Sequence, residues 1–184
     1  MDKRKMIIIS KYLSYVLRHA PESIGLHLEK GGWVSVDELL CASVKHGNPI
    51  SKNDLKEVVK KNEKQRYSFN EDGTRIRANQ GHSIPVDLEL DSKEPPEYLY
   101  HGTVEKSLNE ILKSGINRGQ RNHVHLSPDV ITARKVGARR GKPVVLTIEA
   151  KRMYKDGYAF YLSDNGVWLT DLVPSCYVHL NCNL

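Results

Sequence analysis

RYSFNEDGTRIRA, residues 66–78, decides how the first half of the chain is read. Everything before it carries apolar residues at helical spacing. Here the pattern changes to two short strands, RYSF and TRIRA, joined by the turn signal NEDG. Upstream lie three helices. The first, in KYLSYVLRHAPE (residues 11–22), stops at Pro21 and ends on Arg18 and His19. The second begins in GWVSVDELL, where Ser35 with Glu38 three residues on has the form of a capping box. Its apolar face is Val36, Leu39 and Leu40, and Gly47 is its stop. The third starts at Ser51 and carries Leu55, Val58 and Val59. Three helices followed by a hairpin predict a winged-helix-like lobe, an arrangement that does not by itself establish a function.

Downstream, the prolines and charges of DSKEPPE (residues 91–97) interrupt the pattern and mark a linker. The expected domains are therefore 1–92 and 93–184. In the second, YLYHG, HVHLS, PVVLTIEA, GYAFYLS, GVWLT and CYVHL read as strands. VEKSLNEILKSG reads as a helix with Leu108, Ile111 and Leu112 inward and Gly115 at its end. SPDVITARKVGARRG reads as another, capped by Ser127, opened by Pro128 and stopped at Gly141. The fold class expected is α+β, with a strongly bent β-sheet in the second lobe.

The chain of 184 residues carries a formal net charge of +6, which favours a polyanionic or phosphorylated partner. No Walker loop, G-x-G-x-x-G, H-E-x-x-H or G-x-S-x-G occurs, which weighs against the common NTPases, dinucleotide dehydrogenases, zinc proteases and serine hydrolases. The apolar run in MDKRKMIIISKYL is too short for a signal peptide, and no stretch has the length of a membrane span. A cytoplasmic monomer is expected. Cys176, His179 and Cys182 fall three residues apart, but a structural zinc site wants four ligands, so no metal is expected.

What remains are arginines and histidines in loops and at strand ends. Arg18 and His19 at a helix C-terminus suit the negative end of the helix dipole, and equally suit an anionic ligand. In YHGT (residues 100–103), Gly102 would let a ligand approach the backbone and Thr103 offers a hydroxyl; a simple strand-end turn is the other reading. In GQRNHVHLS (residues 119–127), Arg121 sits in a loop, and His125 and Ser127 share one strand face with Leu126 on the other. Arg66 opens the expected wing, where Lys64 and Arg77 are candidate contacts for a polyanion, and solvated charges are the other reading. Arginine binds phosphate through a planar fork and keeps its charge, so several of them on one phosphate would stabilise a phosphoryl reaction.

LSYVLRHAPESIGLHLEKGGWVSVDELL, KQRYSFNEDGTRIRANQGHS, YLYHGT, HVHLS and DNGVWLT, in that order, resemble the RNA 2′-phosphotransferase family of the KptA type, from about Lys11 to Val178. The resemblance implies a winged-helix-like lobe followed by one with the ADP-ribosyltransferase fold. It implies NAD as a consumed co-substrate and RNA bearing an internal 2′-phosphate, as left at a tRNA splice junction. By motif, the catalytic set falls on Arg18, His19, Arg66 and Arg121. The NAD pocket falls on His101, Gly102, Thr103, His125, Ser127 and Val167. Val167 stands where many ADP-ribosyltransferases place a glutamate. A 2′-phosphate is already anionic and needs no general base to attack a ribose carbon. The expected course has two steps, through an ADP-ribosylated 2′-phospho-RNA to 2′-hydroxyl RNA, nicotinamide and ADP-ribose 1″,2″-cyclic phosphate. Two alternatives stand beside it: ADP-ribosylation of terminal phosphates of nucleic acid, and a non-catalytic winged-helix binding protein.

Overall fold

Helix α1 spans Lys3–Arg18 in a computed structural model that describes residues 1–180. It therefore starts eight residues before the expected helix at Lys11. The N-terminal stretch belongs to the helix because Met6 and Ile9 continue the apolar spacing of Leu13, Val16 and Leu17, and the Asp2 carboxylate accepts from the Arg4 amide at 3.2 Å as N-cap. His19 is the C-cap rather than a helical residue.

The chain divides into two compact units, Met1–Glu89 and Leu90–Leu184. In the first, α2 (Val36–Lys45) and α3 (Lys52–Lys61) begin at the expected caps: Ser35 accepts from the Glu38 amide at 3.4 Å and Ser51 from the Asp54 amide at 3.0 Å. A short strand β1 (Val34–Ser35), not foreseen from the sequence, precedes α2. The hairpin is β2 (Tyr67–Phe69) and β3 (Arg75–Ala78), paired with Tyr67 opposite Ala78 and Phe69 opposite Ile76. β1 adds to its other edge, with Val34 opposite Ile76. Leu13, Leu17, Leu39, Leu55 and Ile76 are fully buried in one cluster that joins the helices to the sheet.

The second unit is also mixed helix and antiparallel sheet. β4 (Leu99–Val104) pairs with β7 (Pro143–Ile148), which pairs in turn with β11 (Val178–Leu180). β6 (Val124–Leu126), β9 (Trp168–Thr170) and β8 (Tyr161–Leu162) form a second three-stranded sheet. β5 (Ile116–Asn117) and β10 (Leu172–Val173) make a small ladder. The strands are thus shared among separate small sheets. Tyr100 and Ser127, bonded amide to carbonyl in both directions at 2.9 and 2.8 Å, link the first two.

Three local expectations are corrected. In α4 (Glu105–Ser114), Leu108 and Ile111 pack on the core, but Leu112 is exposed. Helix α5 is Val130–Gly137, and its cap is Asp129, which accepts from the Thr132 amide at 2.7 Å; Ser127 is committed to the bridge with Tyr100. The strand expected over PVVLTIEA stops at Ile148, and a helix not foreseen from the sequence, α6 (Ala150–Lys155), follows it; Ala150 and Met153 bury its inner face. Among the described residues, no helix is long and apolar enough to cross a membrane.

Candidate active site

In the first unit, three segments distant in sequence meet at the C-terminal end of α1. Arg18 is only 8% exposed. Its Nη2 donates to the Arg66 carbonyl at 3.4 Å, and its guanidinium carbon lies 5.9 Å from the centroid of the Tyr67 ring. It also packs against Gly81, whose φ of +90° is open only to glycine; a Cβ there would stand 3.5 Å from Nη1 of Arg18. His19 is exposed, and its Nδ1 is 2.9 Å from Oγ of Ser83, while the Ser83 amide donates to the Arg18 carbonyl at 3.0 Å. The loop after β3 thus orients the imidazole.

Arg66 is set by a strained turn. Gln65 has φ of +41°, a left-handed backbone costing on the order of 1–2 kcal/mol for a residue with a side chain. Asn79, almost fully buried, holds that turn: its Nδ2 donates to the Gln65 carbonyl at 2.7 Å and its amide to the Arg66 carbonyl at 2.9 Å. The Arg66 Nη1 donates to Asn62 Oδ1 at 3.4 Å. Arg18, His19 and Arg66 are therefore brought together, with Lys64 in the same loop, its amide donating to Asn62 Oδ1 at 3.1 Å. Arg77 is held elsewhere, over the Trp33 ring at 4.6 Å and bonded to the Gly31 carbonyl at 3.4 Å.

In the second unit, His101 lies on β4 and its Nδ1 is 3.2 Å from the His125 carbonyl. Burial holds its pKa below the ordinary histidine value; the carbonyl opposes this and the charge of Arg140 adds to it. Nη1 of Arg121 is 3.5 Å from Nδ1 of His125. The Arg121 guanidinium is itself pushed down, first by partial burial and then by Arg140 and Arg139. Like charges that act on one another in this way favour the binding of an anion. Arg139 and Arg140 escaped the sequence reading. Their signal there is only the dibasic pair in ARRG, and distance along the chain hid its proximity to Arg121.

Gly102 has a packing reason that the sequence reading did not contain. A Cβ there would stand 1.8 Å from the Ala133 carbonyl oxygen of α5. The glycine admits the helix against the strand. Thr103 follows on β4, opposite Val144. Ser127 and Val167 each lie one residue beyond the Leu126–Trp168 end of the β6–β9 ladder. Val167 is fixed by Ser163, whose Oγ accepts from the Val167 amide at 3.1 Å and donates to its carbonyl at 2.9 Å.

Among the described residues, no group of three or more His, Cys, Asp or Glu side chains is placed to hold a metal ion. His179 is 2.7 Å from Glu149 through Nε2, Cys176 is exposed, and Cys182 lies outside the described residues.

The sequence profile of the RNA 2′-phosphotransferase, Tpt1/KptA family matches residues 3–172. The chain belongs to this family. It is 56% identical over 180 residues to a probable RNA 2′-phosphotransferase of Trichormus variabilis, covering 98% of this chain and 99% of that protein. It is 55% identical over 170 residues to one of Flavobacterium johnsoniae, covering 92% and 93%. With one of Streptomyces coelicolor it shares 52% over 178 residues, 97% of each chain. Family membership makes the chain a transferase. The match begins at Lys3, the first residue of α1.

Proposed function

We propose that the chain removes an internal 2′-phosphate from RNA, with NAD consumed as co-substrate. The observation that carries this reading is the assembly of the adjacent Arg18 and His19 with Arg66, from two segments distant in sequence, around a guanidinium taken largely out of water. Desolvating a cation is costly unless its ligand returns the lost solvation, and a phosphate dianion does so through charge-assisted hydrogen bonds. On this reading the first unit is a winged-helix-like lobe that takes the RNA phosphate.

The second unit is read as an ADP-ribosyltransferase-like lobe that takes NAD. Its residues fit that ligand chemically: Arg139 and Arg140 offer charge to the pyrophosphate, and His101, its Nδ1–H donating to the His125 carbonyl, can accept a hydrogen bond at Nε2 without adding charge. Ser127 and Thr103 offer hydroxyls, and Val167 presents no carboxylate.

In the first step the 2′-phosphate oxygen bonds to the nicotinamide-bearing ribose carbon and nicotinamide leaves. In the second, the ADP-ribose 2″-hydroxyl bonds to phosphorus and the RNA 2′-oxygen leaves. Arg18 and Arg66 stabilise charge on the phosphate, the role that the resemblance gives to Arg121 as well. His19 binds it too and moves a proton in the second step, where an alkoxide would otherwise have to leave.

The test is incubation with NAD and a short RNA bearing one internal 2′-phosphate, following RNA and nucleotide together. Appearance of 2′-hydroxyl RNA with ADP-ribose 1″,2″-cyclic phosphate is expected. Accumulation of ADP-ribosylated RNA alone would restrict the chain to transfer onto phosphate. Unchanged NAD and RNA would overturn the reading.

A further inference from the structure

Helix α1 carries two stripes. One, through Ile9, Leu13, Val16 and Leu17, is buried. The other repeats at three and four residues from Lys3 through Met6, Ile7, Ser10 and Lys11 to Ser14 and Tyr15. It lines an open groove of about 500 Å³ that ends at His19 and Arg66. The facing wall is Lys61 at the end of α3 and the loop that leads through Asn62 and Lys64 to Arg66. The walls are fastened from beneath. Asn62 Nδ2 donates to Ser10 Oγ at 3.2 Å, and the Tyr67 hydroxyl reaches the Ser10 carbonyl at 2.5 Å and Ser14 Oγ at 2.6 Å. The groove is therefore a built feature of the first unit.

Its lining is one-sided in charge. Lys3, Lys11, Lys61, Lys64 and Arg66 face a single carboxylate, Glu63. Glu57, which takes the Lys61 ammonium and the Met1 amine, is not part of the lining. Tyr15 is 52% exposed, one turn of helix before the Arg18–His19 pair, and Ile7 is 48% exposed farther along. Cations that track a backbone, combined with an exposed ring on which a base can stack, are the features that hold single-stranded nucleic acid. An acidic peptide would satisfy the lysines and make less use of the ring. It would also have no reason to end at a phosphate-binding group.

We infer that this groove is a track for the single-stranded RNA that flanks the 2′-phosphorylated nucleotide, on one side of that nucleotide only. The inference rests on the proposed activity, because that activity places the phosphate at Arg18, His19 and Arg66. The groove leaves those residues in one direction. Tyr15 meets the nearest flanking base, Lys11 lies about 10 Å from Arg18 along the helix axis and Lys3 about 22 Å. A flank on the order of four nucleotides fills it.

The experiment compares a 2′-phosphorylated trinucleotide with the same core extended on its 5′ side or on its 3′ side. Affinity and kcat/KM are measured for the wild-type chain, Tyr15→Ala and the double variant Lys3→Ala/Lys11→Ala. One extension alone should tighten binding by about tenfold or more. The double variant should lose most of that gain, with the logarithmic salt slope for the extended RNA falling by about 1.4, and should treat the trinucleotide as the wild type does. Tyr15→Ala should lose about fivefold or more on the same extended RNA. Equal gains from both extensions, or a gain that survives in the double variant, would overturn the inference. So would displacement of the extended RNA's advantage by poly-glutamate but not by unphosphorylated RNA, which would assign the groove to an acidic peptide. Failure of the proposed activity reads out separately, as no turnover of the trinucleotide at all.

Discussion

Gly102→Ala tests whether the glycine of the HGT motif serves helix packing or ligand approach. The added methyl would lie 1.8 Å from the Ala133 carbonyl oxygen, 2.7 Å from its carbon and 2.9 Å from the Gly137 amide nitrogen. All three are backbone atoms, so no side chain can swing aside. Reaching an ordinary 3.4 Å contact requires α5 to withdraw from β4 by roughly 1.6 Å. Gly137 adds a second close approach, since a Cβ there would stand 2.7 Å from the Thr103 carbonyl oxygen. Overpacking of this kind costs about 1–3 kcal/mol, and backbone-on-backbone contact places this variant near the upper end, about 3 kcal/mol. With a urea slope of about 2 kcal/mol/M, the unfolding midpoint should fall by about 1.5 M. Gly119→Ala is the control. Nothing lies within 4 Å of its Cβ position, and its φ of +62° should cost only the left-handed strain, on the order of 1 kcal/mol. The assay is urea unfolding followed by tryptophan fluorescence, with NAD binding measured on the folded protein. A Gly102→Ala chain as stable as Gly119→Ala but deficient in NAD binding would refute the packing argument and restore ligand approach as the reason for the glycine.

Arg18→Lys keeps the charge but loses the planar fork, and should lower kcat/KM for 2′-phosphate removal by about 10²–10³ while the fold persists; an unchanged rate would remove Arg18 from phosphate binding. His19→Ala should accumulate ADP-ribosylated RNA or abolish activity, visible by gel and nucleotide chromatography, and normal turnover would take His19 out of the mechanism. His101 has a lowered pKa when folded, so the unfolded chain binds its proton more readily. Its contribution to stability is complete above the ordinary value of about 6.5 and is lost as pH falls through the lower folded value. His101→Asn should therefore flatten the acid side of the urea-stability profile below about pH 6.5, and a profile parallel to the wild type would contradict this. Ser51→Ala removes the cap that receives the Asp54 amide and should cost about 1 kcal/mol with activity on a short RNA retained.

The local readings that held are those decided by short-range physics. Ser35 and Ser51 cap helices because a side-chain oxygen can reach an amide three residues on in any fold. NEDG turns a hairpin because the residues on either side bury Tyr67 and Ile76 from alternating positions. The motifs that carried the family resemblance were legible as strings. The misreadings were tertiary. Ser127 looked like a cap, but the Tyr100 bridge claimed its backbone and moved the cap to Asp129. Met6 and Ile9 fell outside the helix read from Lys11, but the core of the first unit drew them into α1. Leu112 fits a helical stripe and yet is exposed.

Residue types and their order, which depend on covalent neighbours and helical or strand period, determined the α+β class, most of the elements and the names of the candidate residues. Only the tertiary structure decided which of those residues meet. Arg18 and Arg66 are separated by two helices and come together because the Gln65 turn and Asn79 carry the loop back to α1. Arg139 and Arg140 follow α5, which packs on β4 at Gly102, and their charges are felt at Arg121. The groove beside α1 exists because Asn62 and Tyr67 tie the loop to Ser10. Proximity across tens of residues is set by how the core closes, and a core is closed by shape and volume that no single stretch of sequence contains.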